Sequence, residues 1–142
     1  PDPTEFNTLL GVIGEHGHWT IAAMYPCEKK TVFPDSLGES ELKIRKCLDR
    51  TRAFMRSKGC NVSKWRCETL PHSLQRDGVS CGVFVCKFAQ RLLHDQPVWF
   101  LNETQVIDKQ RRKMAFTDFS RNRMTSVNSV HFVEKWRRTT HG

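Results

Sequence analysis

Residues 18–33 constrain the fold more than any other stretch, because they read as a β-hairpin. Along His18-Trp19-Thr20-Ile21-Ala22-Ala23-Met24-Tyr25, a period of two puts Trp19, Ile21, Ala23 and Tyr25 on one face. His18, Thr20, Ala22 and Met24 fall on the other. Pro26-Cys27-Glu28-Lys29-Lys30 makes a turn, and Thr31-Val32-Phe33 returns as a second strand. Pro34 ends that strand, since it has no N–H to give a ladder. His18 therefore opens one strand and Asp35 follows the close of the other. Antiparallel pairing brings those two ends together.

Helical spacing follows. Ile44, Cys47, Leu48, Thr51, Phe54 and Met55 predict a helix over residues 40–58, with Gly59 as its stop. The cations on its other positions, Lys43, Arg45, Lys46, Arg50, Arg52 and Arg56, read as a solvated surface. A short strand is expected over 61–68 around Trp65, and a loop with Pro71, Asp77 and Gly78 over 70–80. A second helix is expected over 83–94, with Cys81 at its start and Val85, Phe88, Ala89, Leu92 and Leu93 on its buried side. A third is expected over 103–116, capped by Asn102. Residues 1–14 show no clear pattern. Residues 117–142 read as a basic tail, which sets the domain at 1–116.

Hydrophobic residues make up 38% of the 142, which is enough to build a core and excludes wholesale disorder. No apolar run approaches the roughly 20 residues that span a bilayer, so no membrane partner is expected. The opening Pro1-Asp2-Pro3-Thr4-Glu5 is not a signal peptide and lacks an initiator Met, so the chain reads as an internal piece of something longer. The six cysteines, at 27, 47, 60, 67, 81 and 86, contain no C-x₂-C pair, which speaks against zinc. Reduced thiols in a nuclear or cytoplasmic protein are expected. The formal charge of +8 suits acidic partners or nucleic acid, although no nucleic-acid-reading motif accompanies it.

A thiol attacks a carbonyl only as thiolate, and a free cysteine, with a pKa of about 8.5, needs help to become one. Cys81 has one source of help at a helix N-terminus, where backbone dipoles favour negative charge. The hairpin offers another in His18 and Asp35, a base and the acid that would orient it. Taken singly, each residue also has a plain reading: a helix-start cysteine is mostly structural, a lone histidine mostly surface, and an Asp before Ser a turn or cap.

In combination these residues resemble a known family. Gly17-His18-Trp19-Thr20-Ile21, then Asp35-Ser36-Leu37, then Gln75-Arg76-Asp77-Gly78-Val79-Ser80-Cys81-Gly82 are similar to the ubiquitin-like-protein-specific proteases, the SUMO proteases and their relatives. The likeness covers roughly residues 16–116, with the elements in the order His, Asp, Gln, Cys. It implies an α+β, papain-like or adenain-like fold, with a central, mostly antiparallel sheet and the nucleophile at a helix N-terminus. It also implies that the N-terminal part of the family's domain is missing here. Cys81 would be the nucleophile, His18 the general base, and Asp35 the acid that orients it. Gln75, six positions before Cys81, would serve the oxyanion hole, and Trp19 would wall the slot for a Gly-Gly tail. A buried strand position is the plainer role for Trp19.

The reaction implied is hydrolysis after the C-terminal glycine of a SUMO-like modifier, which is the expected partner. No metal or organic cofactor is expected. One departure stands out: the family has Asp before the nucleophile, and this chain has Ser80. Cys86 reads as a buried helix residue, His16 gives way to His18 beside Trp19, and His72 receives no role. Two rival readings remain open at this stage. One is acyl transfer to an amine, and the other is a catalytically weak module that binds a modifier or nucleic acid through its basic surfaces.

Overall fold

The computed structural model describes residues 3–102, Ile107, Lys109 and the strands Arg123–Val127 and Val130–Glu134. Among these residues the chain forms one six-stranded sheet and two long helices. The strands are β1 (Leu9–Glu15), β2 (His18–Tyr25), β3 (Lys30–Val32), β4 (Arg66–Glu68), β5 (Arg123–Val127) and β6 (Val130–Glu134). The helices are α1 (Glu41–Ser57) and α2 (Cys81–Leu93). The sheet runs β4-β3-β2-β1-β6-β5, parallel between β3 and β4 and antiparallel elsewhere. This is the α+β architecture with a mostly antiparallel sheet that the sequence led us to expect.

The predicted hairpin is present. Ala23 pairs with Val32 and Tyr25 with Lys30. A 3₁₀ turn over Pro26–Glu28 and a left-handed Lys29 join the two strands. Both faces of β2 are covered. Ala22 and Met24 pack with Ile13, Phe33, Cys47 and Phe54 on the α1 side. Ile21 and Ala23 pack with Leu10, Val83, Phe84 and Phe88 on the α2 side.

β1 lies where the sequence offered no clear pattern. It sits inside the sheet, between β2 and β6. Leu9 and Ile13 join the α1-side core while Leu10 joins the α2-side core. A strand buried on both faces shows no apolar–polar alternation, and Gly11 and Gly14 weaken its strand propensity further. A two-residue turn links β1 to β2, so that Glu15 pairs with His18. His16 and Gly17 both take positive φ, 51° and 74°, as the primed hairpin turn demands. That turn places His18 at the first position of its strand.

The reading of 117–142 as a tail needs correction. Both β5 and β6 fall in this range, and β6 pairs with Leu10 to Ile13 of β1. Val127, Val130, Phe132 and Val133 are good strand formers, but the basic residues around them obscure the signal. The helix expected over 103–116 lies almost wholly outside the described residues. Ile107 is buried in the α2-side core.

α1 keeps its expected ends. Ser40 Oγ accepts a hydrogen bond from the Lys43 N–H, as an N-cap should. At the other end Cys60 N bonds Met55 O and Gly59 N bonds Arg56 O, with Gly59 at φ 81°. These paired bonds around a left-handed glycine form a Schellman stop.

Candidate active site

The first strand of the hairpin delivers His18 and the end of the second delivers Asp35. His18 Nε2 lies 2.7 Å from Asp35 Oδ1. A carboxylate only accepts, so Nε2 donates and Nδ1 is left as the basic nitrogen. Asp35 is 1% exposed. Its Oδ1 also accepts the Leu37 N–H at 2.9 Å, and its Oδ2 accepts from Lys43 Nζ at 3.1 Å. Burial pushes the Asp35 carboxyl up, but the hydrogen bonds from His18, Leu37 and Lys43 outweigh it and hold the group below its usual range. Lys43 is thus no simple solvated cation of α1. Nor is Arg50, whose Nη2 donates to Glu15 Oε1 at 2.6 Å.

Cys81 is the first residue of α2 and is 7% exposed. Through Val83, Phe84 and Phe88, α2 packs against the β2 residues Ile21 and Ala23. The turn before the helix is organised by Asp77. Its carboxylate accepts the N–H groups of Val79 and Ser80, at 3.1 and 2.8 Å, and the Ser80 hydroxyl at 2.6 Å. Ser80 departs from the family's Asp at this position, yet Asp77 brings a carboxylate to it. Among the described residues the hydrogen bonds of the His18 ring go to Asp35, and none joins it to the Cys81 sulfur. All six cysteines are free thiols.

Gln75 is buried in the loop before Cys81. Its backbone N–H donates to Ser36 O at 2.8 Å, and its Oε1 accepts from Ser36 Oγ at 2.5 Å. Its Nε2 donates to Asp77 O at 2.7 Å. A side-chain amide has two N–H donors, so one remains for a further acceptor. Gln75 is therefore fastened directly to the loop that carries Asp35.

Trp19 is 42% exposed, which places it at the surface rather than in the core. It pairs across the sheet with Gly14. Its indole covers that glycine so closely that a Cβ there would lie 2.6 Å from Cζ3. A cavity of about 340 Å³ borders His18 and Asp35 on the α1 side, between Ile13, Phe33 and Lys43. Cys81 does not line it. Among the described residues no cluster of three or more His, Cys, Asp or Glu side chains could hold a metal.

Ser36, Glu39, Lys43 and Asp77 hold these groups in place, and sequence reasoning assigned none of them a role at the site. Two of them had a signal, Ser36 as the middle of Asp35-Ser36-Leu37 and Asp77 inside the Gln75–Cys81 stretch. Glu39 reaches His72 across two loops and Lys43 acts from the face of α1, and spacing along the chain reports neither contact.

The sheet order, the hairpin histidine and the cysteine that opens α2 define an α+β domain of the papain-like, adenain-like class. The sequence pattern of the Ulp1 protease family's C-terminal catalytic domain matches residues 6–124, and the chain belongs to that family. Sentrin-specific protease 2 of the mouse is 28% identical over 120 residues, which is 79% of this chain and 20% of that protein. A structure of the SUMO protease Ulp1 with its catalytic cysteine oxidised to a sulfenic acid superposes with a TM-score of 0.66 at 19% identity. It covers 77% of this chain and 51% of that one. The C-terminal Ulp1 protease domain in complex with Smt3, the yeast orthologue of SUMO, gives 0.66 at 20% identity, over 77% and 50%. The chain thus spans about half of these solved domains and about a fifth of the mouse protein.

Proposed function

We propose that this chain carries the catalytic centre of a cysteine peptidase that hydrolyses the bond after the C-terminal glycine of a SUMO-like modifier. The observation that carries the reading is the 2.7 Å bond from the His18 ring to the buried Asp35 carboxylate. It orients a strand histidine on a sheet whose neighbouring helix begins with Cys81. Membership of the Ulp1 protease family and the Smt3 complex of a structural relative support the substrate class.

In this mechanism Cys81 gives its proton to His18 Nδ1, and the thiolate attacks the glycine carbonyl carbon. The tetrahedral oxyanion is met by the Cys81 backbone N–H and the free N–H of Gln75 Nε2. Collapse breaks the C–N bond, and the imidazolium protonates the leaving amine. A thioester on Cys81 remains. Water, deprotonated by His18, then attacks it, releasing the glycine carboxylate and the thiol. Asp35 stabilises the imidazolium in both steps without taking its proton. Trp19, held outward at the strand start, walls the slot for the glycines, which lack the Cβ that such a slot would reject. No metal or organic cofactor takes part in this chemistry. A nuclear or cytoplasmic setting suits a thiol that must stay reduced.

The test is a panel of ubiquitin-like modifiers, each with an electrophile in place of its C-terminal carboxyl. Covalent capture of a SUMO-like member at Cys81 is the expected result. Failure of every member to label Cys81 in the protein that carries this chain would refute the reading.

A further inference from the structure

The loops that present Asp35 and Gln75 are joined by more than the Ser36–Gln75 contacts. Glu39 Oε1 accepts the backbone N–H of Asp35 at 2.8 Å, and the same oxygen is held by His72 Nε2. Both side chains are largely buried, at 5% exposure for His72 and 13% for Glu39. His72 Nδ1 lies 2.8 Å from Ser73 O. A carbonyl oxygen only accepts, so Nδ1 donates, and the Nε2–Glu39 contact requires one further proton between the two groups. The His72 ring meets the Phe88 ring of α2 in a T-shaped contact, with centroids 5.4 Å apart. One residue pair therefore touches the Asp35 backbone, the loop that leads to Gln75, and the helix that begins with Cys81.

An ionisable pair is a costly way to fill such a place. Desolvating two charged groups can cancel their attraction, and an apolar pair of similar volume would pack at least as well. What an apolar pair could not provide is an acceptor for the Asp35 amide. We propose that Glu39 and His72 are positioning residues for the reaction, a latch that sets the backbone of Asp35 against the Gln75 loop. The inference rests on the peptidase reading above. The latch acts beside the Ser36–Gln75 contacts, so that the acid that orients His18 and the amide that serves the oxyanion are held in one alignment. An error of about 1 Å in such alignment can cost about a hundredfold in rate.

The experiment measures turnover of a SUMO-like modifier with a fluorogenic amide at its C-terminal glycine. It uses the protein that carries this chain, with rates referred to the number of sites titrated by the electrophilic probe. Glu39→Ala and His72→Ala should lower kcat per titrated site about 10- to 100-fold. KM should stay within about twofold, because binding of the modifier is not what the latch controls. Glu39→Gln keeps an oxygen for the Asp35 amide, and His72→Gln keeps a donor for Glu39. Each should recover most of the lost rate.

A merely structural pair would lower the fraction of titratable sites and leave kcat per site unchanged. That outcome, or a Glu39→Gln variant as slow as Glu39→Ala, would overturn the proposal. Should His72→Ala fail to fold, the two Glu39 variants decide. Hydrogen exchange of the Asp35 amide gives a readout independent of turnover. Protection should fall in Glu39→Ala and persist in Glu39→Gln. If the wild type turns over no modifier, the peptidase reading fails, and this exchange measurement alone judges the latch. Unchanged protection in Glu39→Ala would then overturn it.

Discussion

The two halves of the candidate triad are held by different physics. Asp35 and His18 sit in a web of side-chain hydrogen bonds, with Lys43 on one carboxylate oxygen and His18 and the Leu37 N–H on the other. Cys81 sits at the first turn of α2, and the polar contacts nearest to it belong to the turn before it, where Asp77 gathers two backbone N–H groups and the Ser80 hydroxyl. The acid–base half should therefore answer to charge and pH. The nucleophile half should answer to the geometry of a helix start. Gln75 bridges them, accepting from Ser36 on one side and donating to Asp77 on the other.

The largest effect is expected at the nucleophile. Cys81→Ala removes the only atom of the chain that bonds to the substrate carbonyl carbon in the proposed mechanism, so turnover should vanish. The small side chain it truncates is buried at a helix start, and stability should fall by only about 1 kcal/mol. Turnover equal to wild type, measured with a glycine-terminated amide substrate, would end the peptidase reading. Next comes the bridge. Gln75→Ala should cost about 10²–10³ in kcat if its amide meets the oxyanion. A loss of stability with kcat per titrated site intact would instead show that Gln75 only ties the loops.

The same contrast explains what could be read from the chain. The β2–β3 hairpin, α1 with its Ser40 and Gly59 ends, and α2 opening at Cys81 each rest on local signals: alternation, helical spacing, caps and a breaker. Those signals also placed His18 near Asp35. β1 was hidden because both its faces are buried, and β5 and β6 because basic residues surround them. The links from Ser36 to Gln75 and from Glu39 to His72 span 39 and 33 positions. No periodicity reports a contact between two loops. The outward placement of Trp19 was legible only through the family resemblance, because alternation along β2 puts it on the face of the buried Ile21 and Ala23.

The acid–base half can be probed through stability. The folded-state carboxyl of Asp35 titrates below its ordinary value of 3.8. A group whose pKa is lowered by folding stabilises the fold above its unfolded value, and loses that contribution as pH falls through the folded value. Wild type should therefore lose stability as the pH drops below about 4, whereas Asp35→Asn, with no carboxyl to protonate, should lose less. Chemical denaturation midpoints at several pH values would show it. Parallel curves for the two proteins would mean that the Lys43 and His18 contacts contribute nothing.

The smallest effect sharpens the comparison on the substrate side. Gly14 takes no unusual φ, so alanine is compatible with its backbone, and strand propensity alone would favour the change. The new Cβ would nevertheless meet the Trp19 indole at 2.6 Å and push the ring off β1. Trp19 is 42% exposed, so the displaced ring has solvent on one side. Gly14→Ala should thus leave stability nearly unchanged and shift the indole N–H signal of Trp19. If the ring walls the glycine slot, KM should rise about tenfold, the scale of one misplaced group in a specificity pocket. kcat should change far less, because neither half of the triad is touched. A moved indole with an unchanged KM would separate Trp19 from substrate binding and leave it as a cover for its cross-strand glycine.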